Sequence, residues 1–70
     1  MMEYMILNLR KISGVDIIEF KEKFKENVFE IFGKEIDKLK KQNLIKTTTR
    51  KISLTLKGLD FANIVWREFT

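Results

Sequence analysis

Apolar residues crowd the front of this chain more densely than one helix face can hold. Glu3 to Ile12 reads EYMILNLRKI. On a helical wheel, Tyr4, Met5, Ile6, Leu7, Leu9 and Ile12 fall at roughly 0, 100, 200, 300, 140 and 80°. No half of the wheel contains them all, which is the pattern of a helix buried on more than one side. The segment does not alternate as a strand would, and Leu, Met and Arg favour helix. A first helix from about Glu3 to Ile12 is therefore expected, and Ser13-Gly14 ends it.

Signals for the later elements are clearer. In Val15-Asp16-Ile17-Ile18-Glu19-Phe20, Asp16 as N-cap and Glu19 three residues on form a capping box. Val15 is placed to pack on Phe20 as a hydrophobic staple. They predict a second helix from Ile17 to Lys25, with Ile17, Phe20 and Phe24 facing in. Asn27 and Glu30 repeat the cap for a short turn, NVFEIF, closed by Gly33. A third helix follows from Lys34 to Gln42, with Ile36 and Leu39 inward, and Asn43 suits the left-handed residue that ends it. Two helices joined by a compact turn read as a helix-turn-helix.

Leu44 to Leu54 changes period. LIKT and KISL flank Thr48-Thr49-Arg50, and Ile52 and Leu54 alternate with Lys51 and Ser53, which predicts an antiparallel hairpin. Thr55 then caps a last helix from Leu56 to Phe69. On it Leu59, Phe61, Ala62, Val65, Trp66 and Phe69 share an arc of about 160°, with Ile64 outside. The order describes one mainly α domain over residues 1–70 with a small hairpin: a winged helix, the hairpin being the wing, with an added C-terminal helix.

Composition narrows the chemistry. Seventy residues bury only about 60% of their unfolded surface. The chain has no Cys and no His, so disulfides, thiolate metal sites and imidazole catalysis are excluded. Packing must supply stability, and 44% hydrophobic content with six Phe suits that. No apolar run approaches the roughly 18 residues of a membrane span. The N-terminus lacks a signal-peptide pattern, so the cytoplasm is the expected compartment. Fourteen basic against ten acidic residues leave a net +4, which permits weak attraction to anions without demanding it.

In order and spacing these segments resemble the C-terminal domain of oxygen-independent coproporphyrinogen-III oxidases and their haem-chaperone-like relatives. The likeness is carried by the apolar helix ending in Leu9-Arg10, the small turn Ser13-Gly14-Val15 and the pair Phe32-Gly33. It continues in the element Leu54-Thr55-Leu56-Lys57-Gly58 and in Asn63. It departs from the family at Asn43, where relatives often have Gly, though Asn can take that backbone role. The resemblance implies a parent radical S-adenosylmethionine protein whose N-terminal barrel holds a [4Fe–4S] cluster on three cysteines. This chain would then be a non-catalytic C-terminal accessory domain, packing on that barrel and helping enclose the tetrapyrrole. Tyr4, Met5, Ile6, Leu9, Arg10 and Trp66 are the residues expected at that interface. The excess oil on the first helix would be covered there.

Each candidate site has a plainer counterpart. Glu19, Glu22, Glu26 and Glu30 interleave with Lys21, Lys23 and Lys25, as on a solvated helix face rather than an acid–base pair. An alternative function is a free-standing winged-helix DNA-binding regulator that dimerises through its first helix. Lys38, Lys41, Gln42, Arg50 and Lys51 would then contact nucleic acid, with Lys34 and Lys46 nearby. Glu35 and Asp37 oppose this by repelling phosphate. Arg10 reads as a C-terminal cation satisfying the last helix carbonyls, or as an ion-pair donor to the barrel or to a carboxylate-rich tetrapyrrole. Gly14 and Gly58 serve backbone shape and close packing. Phe69 and Trp66 read as core, with Trp66 at its edge. Met5 reads as filler rather than an iron ligand.

Overall fold

A computed structural model describes residues 1–69. It contains helix α1 (Met2–Leu9), strand β1 (Val15–Asp16), helices α2 (Ile17–Phe24), α3 (Val28–Ile31) and α4 (Gly33–Lys41), strands β2 (Ile45–Thr47) and β3 (Lys51–Leu54), and helices α5 (Leu56–Asp60) and α6 (Ala62–Glu68). The protein is mainly helical with a small antiparallel sheet.

Three side chains start helices where their types suggest. Asp16 Oδ1 accepts the Ile18 N–H at 2.9 Å and the Glu19 N–H at 3.1 Å. The Glu19 N–H above all, then the Ile18 N–H and the charges of Arg50 and Lys51, hold the Asp16 carboxyl below its usual range against partial desolvation. Asn27 Oδ1 accepts the Phe29 N–H at 2.8 Å, and Thr55 Oγ1 accepts the Gly58 N–H at 2.9 Å. The Asp16–Glu19 box forms on its Asp16 side. The Glu19 carboxylate instead accepts the Tyr4 hydroxyl at 3.0 Å.

The sheet has three strands in the order β1-β3-β2, not the two of the expected hairpin. Val15 lies opposite Ile52, and Ile45 opposite Leu54. Strand β1 is only two residues long and is hidden in sequence by the cap motif that begins at its own Asp16. Thr48 closes the β2–β3 turn. Its N–H donates to the Lys51 carbonyl at 2.8 Å, and its Oγ1 accepts the Arg50 and Lys51 N–H groups.

One apolar cluster joins every layer. Met5 and Leu9 of α1, Phe20, Val28, Phe32, Ile36 and Leu39 of the central helices, Val15, Ile45 and Ile52 of the sheet, and Val65 and Phe69 near the chain end are all buried in it. Aromatic rings run through it in edge contacts: Tyr4 to Phe20 at 5.6 Å, Phe20 to Phe32 at 6.3 Å, and Phe32 to Phe69 at 5.4 Å between centroids. Among the described residues no buried side-chain polar atom lacks a partner.

Five expectations need correction. The last helix is two helices, broken at Phe61 with φ −115° and ψ 36°. Gly58 must lie against the Leu44 carbonyl, so α5 is aimed by that contact, while α6 separately brings Val65 and Phe69 into the core. Leu59 and Phe61, expected to face inward, are consequently exposed. Helix α1 ends at Leu9, leaving Ile12 beyond it in a turn. Helix α2 ends at Phe24, because Lys25 takes the left-handed conformation at φ 58°. Gly33 opens α4 rather than closing the preceding turn. Asn43 is left-handed at φ 61°, as its type suggests. Gly14 at φ 71° has no room for a side chain, since a Cβ there would meet the Ile52 carbonyl oxygen.

Candidate docking surface

Helix α1 spends most of its oil on this domain's own core. Met5 and Leu9 are fully inside, and Tyr4 and Ile6 pack at the edge. Within the helix, Met2 at its start and Leu7 on its outer side are the large apolar residues left exposed. Met5 therefore has no sulfur to present to an outside ligand. The Arg10 guanidinium lies over the Trp66 ring at 5.3 Å from its centroid. This cation–π contact is a placement that neither expected role for Arg10 included.

Tyr4 sits where α1 crosses α2. Its ring meets Phe20 and Phe24 edge-on, and Lys23 Nζ stands 5.3 Å from its centre. Desolvation, then the hydrogen bond to Glu19 and the negative charges of Glu19 and Asp16, push its hydroxyl up to about 12. A pKa raised on folding stabilises the fold fully below the unfolded value near 10, and that contribution is lost as pH rises through about 12. Tyr4 is the sole tyrosine, so an alkaline absorbance titration reads it directly. A midpoint close to 12 is expected, lowered only part-way toward 10 in Glu19→Gln, which leaves the larger effect of desolvation in place. An ordinary midpoint in the parent sequence would show that the Tyr4–Glu19 contact does not form.

The apolar surface left over lies elsewhere. Leu56 is 84% exposed, Leu59 59%, Phe61 50% and Ile64 38%. All four fall on α5, α6 or the break between them. Ile12 is fully exposed at 103%. Two clefts flank α5. One, of about 230 Å³, is lined by Leu44, Phe61 and Ile64 with Gln42 and Lys57. The other, of about 210 Å³, lies between Ile12 and Leu59. Sequence reasoning missed this surface because apolar residues at helical spacing look alike whether they face a core or a neighbour. The break at Phe61, the feature that separates the two cases, has no Gly or Pro to announce it.

The description "HemN C-terminal domain" matches residues 1–61. The chain belongs to this family. It is also 37% identical over 67 residues, 96% of its length, to the "Heme chaperone HemW" of Lactococcus lactis subsp. lactis (strain IL1403), of which it spans 18%. No solved structure matches it. In this HemN C-terminal domain the Leu-Thr-x-x-Gly element has a clear physical task. The Thr55 hydroxyl donates to the Asn43 carbonyl at 2.6 Å while accepting the Gly58 N–H, and the Thr55 N–H donates to the Leu44 carbonyl at 3.1 Å. Gly58 then lies so near the Leu44 carbonyl that a Cβ would collide with it. One threonine and one glycine thus clamp α5 onto the left-handed turn that ends α4.

The cations of the HemN C-terminal domain that were candidates for phosphate contact are partly engaged at home. Lys38 pairs with Glu68 at 3.1 Å, Lys41 with Asp37 at 3.3 Å, and Arg50 approaches Asp16 at 3.8 Å. Gln42 lies beside the Phe61 cleft, and Lys51 lies opposite Asp16 in the sheet. Among the described residues no group of three or more His, Cys, Asp or Glu is placed to hold a metal, and no helix is long and apolar enough to cross a membrane.

Proposed function

We propose that these residues form the C-terminal accessory domain of a longer, cytoplasmic radical S-adenosylmethionine protein of porphyrin or haem metabolism, related to coproporphyrinogen-III oxidases and haem chaperones. The domain itself does no chemistry. It packs on the N-terminal barrel of the same chain and helps enclose the tetrapyrrole. The observation that carries this reading is the apolar surface of Leu56, Leu59, Phe61 and Ile64, exposed on a chain that spans only 18% of the haem chaperone it resembles. Isolated apolar side chains are ordinary on a surface, but a group of them marks an interaction site.

The order helix, strand, helices and hairpin supports a winged-helix description, with β1 completing the sheet. An iron–sulfur cluster takes cysteine thiolates, and this chain has none. The residues present do not fit the cluster, which would belong to the barrel together with S-adenosylmethionine. Of the residues first expected at the interface, Tyr4, Ile6, Arg10 and Trp66 keep accessible surface for it, while Met5 and Leu9 support it from within.

The test uses the full-length protein with Phe61→Asp and Ile64→Asp together. Both sites are exposed, so the fold of the domain itself should survive. Loss of interdomain burial is expected to lower the calorimetric midpoint and to split one cooperative transition into two. An unchanged single transition would refute packing through this surface.

A further inference from the structure

The cleft between Ile12 and Leu59 gathers three cations, Arg10, Lys11 and Lys46, where the Phe61 cleft, also without a carboxylate, has only Lys57. Its apolar lining is Leu9, Ile12, Leu54 and Leu59, and Ser53 joins them. Its rim carries Arg10, Lys11 and Lys46, and no carboxylate lines it. The α1–α2 groove, by contrast, mixes Glu3 and Glu19 with Lys11 and Lys23, and the groove along α4 sets Asp37 beside Lys34 and Lys40. An apolar slot lined also by three cations is complementary to an acidic segment that carries an apolar tip.

Size then selects among anionic partners. At about 210 Å³ the slot is below the roughly 300 Å³ at which small-molecule sites begin. It has room for one or two apolar side chains and not for a tetrapyrrole ring. A nucleic-acid backbone would use the cations and leave the apolar walls unfilled. Arg10 is already held in place by its stacking on Trp66, so one rim charge is ordered before anything binds.

Resting on the accessory-domain reading, we infer that this cleft seats an acidic, apolar-tipped segment of the N-terminal part of the same polypeptide. Most of the haem chaperone's length lies outside the matched region, and in this family the present residues are the C-terminal domain. Geometry permits the connection. The cleft lies at the C-terminal end of α1, an eight-residue helix. Such a helix is about 12 Å long, a span that about four extended residues ahead of Met1 would cover. The apolar contact holds the segment, and the rim charges choose it over neutral competitors.

The test places a photoreactive benzophenone side chain at Leu59 of the full-length protein and, in a second preparation, at Phe61. Adducts are mapped by mass spectrometry. The Leu59 probe is expected to join an N-terminal segment that combines Asp or Glu with apolar residues. Lys11→Glu with Lys46→Glu is expected to cut that yield about fivefold, with far-ultraviolet circular dichroism unchanged. A silent Leu59 probe beside a productive Phe61 probe overturns the cleft assignment and leaves the accessory reading standing. Two silent probes overturn both. A Leu59 adduct between two copies, or one insensitive to the charge reversal, overturns the acidic-segment assignment.

Discussion

Phe20→Ala is expected to remove about 3–5 kcal/mol of stability. Phe20 is wholly buried, and its ring meets those of Tyr4, Phe24 and Phe32 at 5.6, 4.8 and 6.3 Å. Truncation removes the ring's own burial and leaves three aromatic neighbours around a void, and aromatic pairs such as the edge contacts to Tyr4 and Phe32 add about 0.5–1.5 kcal/mol each. A domain of this size holds only about 4–10 kcal/mol altogether. The midpoint of thermal unfolding should therefore fall by at least about 12 °C, and at the weaker end of that stability range the variant is left within about 1 kcal/mol of its unfolding midpoint at room temperature. Trp66 is the sole tryptophan, so denaturant titration followed by its fluorescence reports the change. A loss under about 1 kcal/mol would mean that Phe20 does not sit at the junction of α1, α2 and α4.

Gly58→Ala should be nearly as damaging, for a steric rather than a hydrophobic reason. The added methyl would collide with the backbone carbonyl of Leu44, which is itself fixed by the Thr55 N–H. Neither side of the collision is a flexible side-chain end, so α5 must lift away from the turn at Asn43. An overpacking cost of about 3 kcal/mol is expected, against about 1 kcal/mol for losing the Thr55 cap in Thr55→Ala. Gly33→Ala is the control. A Cβ at Gly33 would have no atom within 4 Å, and a helical Ala is favoured over Gly by up to about 1 kcal/mol. Equal behaviour of the two alanine variants would contradict the clamp.

Local chemistry made the starts of elements legible. Asp16, Asn27 and Thr55 cap helices because their side-chain oxygens reach backbone N–H groups two or three residues on, a relation contained within four residues of sequence. Asn43 ended a helix for an equally local reason. What stayed hidden depended on distant partners. Strand β1 exists because Val15 and Asp16 find Ile52 and Lys51, more than 30 positions away. Lys25 turns left-handed with no residue type to announce it. Leu59 and Phe61 were assigned to a core, but the contact of Gly58 with Leu44 aims α5 so that they face out. Of the interface residues expected, Tyr4, Met5, Ile6, Leu9, Arg10 and Trp66, the domain keeps Met5 and Leu9 for itself. On α5 and α6 the exposed surface joins Leu59 and Phe61, whose spacing points inward, to Ile64, whose spacing points outward, and to Leu56.

The short strands constrain how this domain can join anything. At one margin of the sheet β1 offers two residues and packs against α1 and α2, and at the other β2 offers three, with Lys46 among them. Stubby, charged borders of this sort give a foreign strand too little unpaired main chain to zip onto. The folded domain is thereby guarded against strand addition at its margins, which leaves its associations to interdigitating side chains.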